Sequence, residues 1–255
     1  MSTRYSIGAA LAYVRRPYFP AGRDRIGEDA LRHLMQLLAL SLAFVVVSSS
    51  VLGGIIAAVT GGVPENMNAT LGEAEPVMLV LAAVLFAPVI EEVLFRSWLG
   101  GARLCLLGLP VLLSLLAVGT AAGQVGPMLS FGLAGALSVL ILSIARRYSE
   151  LSPEAQRAAR WRLFPTAFYG SALLFAMLHL SNYEGGFSSP VMALAVLPQF
   201  VVGLVLGYVR MRFGLVAAII FHALYNFVLV GLFLVSQSIA PVADSAALVG
   251  GHMPA

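Results

Sequence analysis

Phe86-Ala87-Pro88-Val89-Ile90-Glu91-Glu92-Val93-Leu94-Phe95-Arg96 sets two adjacent carboxylates and a guanidinium inside a run, Val77 to Leu99, that is otherwise uncharged and largely apolar. A charge at the centre of a bilayer costs roughly 2.5–3.5 kcal/mol even on the lenient insertion scales, so three charged groups within six residues call for a use. The run is long enough for one membrane-crossing helix. On that helix Glu92 and Arg96 are i and i+4; they share a face and can pair. Glu91 is turned about 100° away and has no partner on its own helix. One carboxylate is neutralised and the other is available.

Composition sets the class. Of 255 residues 60% are hydrophobic and 11% charged, with a mean hydropathy of +0.92. Soluble domains carry about 25% charged residues. The chain therefore reads as an all-α, polytopic integral membrane protein. All 15 basic residues are arginine, which suggests a GC-rich, bacterial genome. The net charge of +3 implies no nucleic-acid partner, because the arginines fall in short loops where they set topology. The single cysteine, Cys105, excludes an internal disulfide and reads as a buried structural thiol.

Working outward, residues 1–34 read as a solvated, cytoplasmic polar arm. Residues 35–236 read as a single catalytic membrane domain, and 237–255 as a poorly ordered tail. About seven spans are expected, with room for an eighth, around an intramembrane polar cavity. They are Met35–Thr60, Pro76–Leu99, Leu104–Ala121, Val125–Ala145, Leu163–Leu180, Val191–Val209 and Phe213–Val235. Within the basic loop Arg146–Arg162, Ser152-Pro153-Glu154 reads as an N-cap, a first-turn proline and a first-turn acid. A short surface helix ending near Trp161 follows from it. The arginines divide as six before the first span, two at the second-to-third connection, five in the Arg146–Arg162 loop and two after the sixth span. With alternating spans all of them share one side, so the expected orientation is N-terminus cytoplasmic and C-terminus outside.

The remaining polar residues inside the spans are few. His179 lies in Phe175-Ala176-Met177-Leu178-His179, and His222 opens His222-Ala223-Leu224-Tyr225-Asn226. Asn226 is one turn from His222, and Phe175 can pack beneath the ring of His179. At about 1.5 Å per residue, Glu91, His222 and Asn226 lie about 15–21 Å deep and His179 about 25 Å. They can meet in one cavity. A glutamate beside a histidine at low dielectric can deprotonate water near neutral pH. A second histidine with an amide at i+4 can hydrogen-bond the oxyanion formed at an amide carbonyl. The competing assembly is a zinc site with Glu91, His179 and His222 as ligands and an activated water. Both hydrolyse peptide bonds within the membrane. An aspartyl dyad is excluded, since Asp24, Asp29 and Asp244 lie outside the spans, and no His-Glu-x-x-His or Gly-x-Ser-x-Gly occurs.

Glu91-Glu92-x-x-x-Arg96, Phe175-x-x-x-His179 and His222-x-x-x-Asn226, in this order and each on its own apolar helix, resemble the three motifs of the CPBP family of CAAX proteases and bacteriocin-processing enzymes (Abi). The type II CAAX prenyl endopeptidase is its eukaryotic member. The likeness covers roughly residues 75 to 235. It implies an intramembrane endopeptidase in which Glu91 activates water with the help of His179, and His222 and Asn226 stabilise the oxyanion. Glu92, Arg96 and Phe175 support the site. The family often carries the label metalloprotease; no cofactor is favoured here, and Zn2+ is the alternative. The implied partners are the lipid bilayer and a protein or peptide substrate, lipid-modified tails included, at a bacterial plasma membrane. Two rivals are weighed against this reading. One is a proton-coupled transporter or channel using Glu91, His179 and His222 as a relay, which the lack of an internal repeat disfavours. The other is a non-catalytic immunity or binding member.

Overall fold

The computed structural model describes residues 5–61, 75–97, 99, 139, 143, 146–182 and 194–250. Among the described residues three helices are long and apolar enough to cross a membrane: Glu28–Val59, Pro76–Arg96 and Leu215–Ser238. Among the described residues there is no strand. The protein is an integral membrane protein of helices, as its composition requires. The expected third span, most of the fourth, Cys105 and most of the loops at 61–75 and 181–189 lie outside the described residues.

Helix α1 (Ile7–Arg15) begins at Ser6, whose Oγ accepts the Ala9 N–H at 3.1 Å. Helix α2 (Glu28–Thr60) carries Glu28 and Asp29 in its first turn, where acids favour the positive end of the helix dipole. Three pieces make up the span around the paired glutamates. They are α3 (Pro76–Val80), a π-helical turn (Leu81–Phe86) and α4 (Ala87–Arg96). Helix α5 (Pro153–Leu178) starts as its sequence requires, with Ser152 Oγ accepting the Ala155 N–H at 3.2 Å. It does not stop near Trp161. The surface helix expected there and the fifth span are one continuous helix that includes Pro165. A 3-10 turn (His179–Asn182) ends it, and α6 (Leu197–Phe213) and α7 (Leu215–Gly250) follow. Helix α7 continues past Val235, the expected end of the seventh span.

Much of the arm is exposed, but part of it packs on the helices. Tyr13 is buried, with its ring edge-on to Phe168 at 5.8 Å and to Tyr208 at 5.4 Å. Its hydroxyl donates to the Tyr18 carbonyl at 2.8 Å, and burial pushes its ionisation well above the usual phenol range. Asp24 pairs with Arg212 at 2.6 Å, and its own N–H donates to the Arg212 carbonyl at 2.7 Å. His33, also in the stretch expected to be solvated, is fully buried against Tyr208. The physical reason is the aromatic residues Tyr5, Tyr13 and Phe19, which are interspersed with the arm's arginines and pack into the core. Their apolar area outweighs exposure of the chain that carries them.

Among the described helices α5 and α6 form the most extensive pair. Gly203 and Gly207, four residues apart on α6, let the two backbones approach as small residues do between membrane helices. A Cβ on Gly207 would meet the Phe168 ring at 2.7 Å, and one on Gly203 would meet Ala172 Cα at 3.2 Å. Helix α7 packs against α6, α4 and the π-helical turn. The space between α4, α5, α6 and α7 is where the polar residues gather.

Candidate active site

Glu92 and Arg96 pair as their spacing dictates, Oε1 to Nη1 at 3.1 Å, with both side chains fully buried. The Arg96 guanidinium lies 4.1 Å over the centre of the Phe175 ring, a cation–π contact that strengthens away from water. Its Nη2 donates to the Gly203 carbonyl at 3.4 Å. The end of α4 is held as firmly. Ser171 Oγ donates to the Phe95 carbonyl at 2.6 Å. Arg210, buried on α6, donates from Nε to the Arg96 carbonyl at 3.0 Å and from Nη2 to the Ser97 carbonyl at 3.4 Å. Those carbonyls are orphans at a helix C-terminus, and a guanidinium there also suits the dipole.

Glu92 has a second partner. His222 Nδ1 stands 3.1 Å from Glu92 Oε1. An ionised carboxylate only accepts, so Nδ1 carries the proton. That turns Nε2 toward Glu91, whose Oε2 is 3.8 Å away. Glu91 is 17% exposed where Glu92 is fully buried, and among the described residues Oε2 has no hydrogen-bond partner. The Glu92–Arg96 pair is thus a triad with His222, and Glu91 lies beside it without a hydrogen bond to it among the described residues.

His179 is not inside a span helix but is the residue that ends α5. Its Nδ1 donates to the Phe175 carbonyl at 2.8 Å, which leaves Nε2 as the lone-pair nitrogen of a neutral ring. The Phe175 ring is the hub: its centre lies 4.7 Å from that of His179, 5.7 Å from His222 and 5.8 Å from Phe95. Asn226, expected beside His222 as an open amide donor, uses one hydrogen of its NH2 elsewhere. Its Nδ2 donates to the Ala83 carbonyl in the π-helical turn at 2.7 Å. One of the two amide hydrogens remains.

The structure therefore brings Glu91, Glu92, Arg96, Phe175 and His222 into one contact set. His179 joins through Phe175, and Asn226 lies one turn beyond His222. As for zinc, no three His, Cys, Asp or Glu side chains among the described residues converge on a point that would hold a metal ion. His222 Nδ1 is bonded to Glu92, which leaves its Nε2 facing Glu91. Sequence reasoning missed Arg210, Ser171 and Gly203. Arg210 was assigned with Arg212 to the loop after the sixth span, where nothing local marks it as buried. The Gly203-x-x-x-Gly207 spacing is the one signal that pointed to a close helix pair.

Compared with known proteins, residues 73–228 match the family described as type II CAAX prenyl endopeptidase Rce1-like. No curated protein and no solved structure matches the chain.

Proposed function

Because the chain belongs to the type II CAAX prenyl endopeptidase Rce1-like family, we propose that it is an intramembrane endopeptidase whose water is activated at Glu91. The observation that carries this reading is the division between neighbouring carboxylates. Glu92 is fully buried and bonded to Arg96 and His222, while Glu91 is partly open beside a histidine whose tautomer is fixed.

In this scheme Glu91 takes a proton from water as the water oxygen forms its bond to the scissile carbonyl carbon. His179 Nε2 is the second acceptor that orients that water. The carbonyl π pair moves to oxygen, and the free hydrogen of the Asn226 amide donates to the oxyanion. His222 joins as a donor only in its doubly protonated form, because Nδ1–H already points at Glu92. Collapse expels the amine, which takes the proton held by Glu91, and the peptide bond is broken. The 3.8 Å between Glu91 and His222 is too long for a direct hydrogen bond, so the two groups act on the substrate and water separately.

The substrate class to try first is the one in the family's description, a peptide ending in a prenylated CAAX sequence. In lipid nanodiscs, Glu91→Gln is expected to cut cleavage of such a peptide by about 10²–10⁴-fold with little change in thermal stability. Equal cleavage by mutant and wild type would end the assignment of Glu91 as base. We read the membrane as a bacterial plasma membrane with the N-terminus cytoplasmic, on the one-sided arginines. Reporters fused at 185 and 155 that report the same side would contradict that orientation.

A further inference from the structure

The π-helical turn explains why Asn226 points where it does. In a regular α-helix the Ala83 carbonyl accepts the N–H of residue 87. Here the Ala87 N–H reaches back five residues to the Ala82 carbonyl instead. In the π register the donor to Ala83 is residue 88, and residue 88 is proline, with no N–H to give. Both helical donors are therefore missing at one carbonyl, at a depth where water is not at hand to replace them. Asn226 Nδ2 fills the place at 2.7 Å, from α7 across to the π turn.

We propose that Pro88 is a positioning residue for Asn226. By leaving the Ala83 carbonyl without a backbone donor, it anchors one hydrogen of the amide and aims the other. Pro88 is itself fully buried and stands three residues before Glu91 on the same helix, so one backbone feature sets both the general base and the amide. Insertions of this kind in helices gather at functional sites, and here the freed group is used. An asparagine without an anchor flips freely between two orientations, only one of which presents N–H. The role assigned to the second hydrogen rests on the reading under Proposed function; the anchoring does not.

The test is a cycle of four proteins in nanodiscs: wild type, Pro88→Ala, Asn226→Ala and the double variant. Alanine at 88 supplies an N–H and lets the turn revert to α register, where Ala87 N–H returns to Ala83. Asn226→Ala is expected to lower the unfolding temperature by about 2–4 °C in the wild-type background and by nothing in the Pro88→Ala background. An equal loss in both backgrounds overturns the anchoring. On a prenylated CAAX peptide, Asn226→Ala should lower kcat by about 10²-fold. Pro88→Ala should lower kcat by about 10-fold with KM unchanged, and the double variant should be no slower than Asn226→Ala. Full kcat in Pro88→Ala overturns the positioning. Wild-type protein that cleaves nothing, or Asn226→Ala at full kcat, removes the catalytic reading instead, and the temperature cycle then decides the anchoring alone. Pro88→Ser, which also restores the N–H, serves the same cycle if the alanine variant is poorly recovered.

Discussion

Two buried polar clusters among the described residues are built to opposite ends. One surrounds Glu92: Arg96 and His222 both bond to it, Phe175 covers it, and Glu91 remains beside it partly open and uncommitted. The other surrounds Tyr208, where His33 shares a hydrogen bond at 3.0 Å, Tyr13 packs edge-on at 5.4 Å, and Asp24 pairs with Arg212 nearby. In the second cluster aromatic contacts, one hydrogen bond and one ion pair fasten the N-terminal arm to α6. In the first, two opposite charges pair and a third, that of Glu91, is left over. Both clusters bear the desolvation cost of buried polar groups. Only the Glu92 cluster leaves a partly open carboxylate beside it, which is what a catalytic base requires.

The comparison is broken most severely at Glu92. Glu92→Gln strands the buried Arg96 charge and removes the anion behind His222. The expected loss is roughly 3–5 kcal/mol of stability, read as a lower unfolding temperature in nanodiscs, together with loss of cleavage. Adding Arg96→Gln should return part of the stability, because no unpaired charge is left, and none of the activity, because His222 still lacks its carboxylate. A double variant that recovers both would mean that Glu92 serves packing alone.

The smaller effect sharpens the contrast from the other side. Tyr208→Phe leaves buried His33 without its hydroxyl partner and is expected to cost about 1–3 kcal/mol. With the arm cluster purely structural, kcat on the same peptide should stay at the wild-type value. A fall in kcat larger than the fall in the folded fraction would show that the arm reaches the site, through Arg210 and the end of α4.

The sequence alone determined whatever depends on near neighbours and on composition. The hydropathy requires membrane helices, Ser152-Pro153 starts α5, and Glu92 meets Arg96 because they are one helical turn apart. The separation of Glu91 from Glu92 has the same origin, since adjacent residues on a helix point about 100° apart. Tertiary structure decided the rest. His222 comes to Glu92 across 130 positions and Arg210 caps α4 across 114, and no spacing rule relates residues so far apart. The tie from Asn226 to Ala83 needs a helix register that side-chain periodicity does not encode, fixed by which backbone donors remain once Pro88 has none. The arm looked solvated throughout because charged and aromatic residues are interspersed along it. Only packing against α5 and α6 reveals that the aromatic residues outweigh the arginines, for burial of apolar area depends on what lies opposite it.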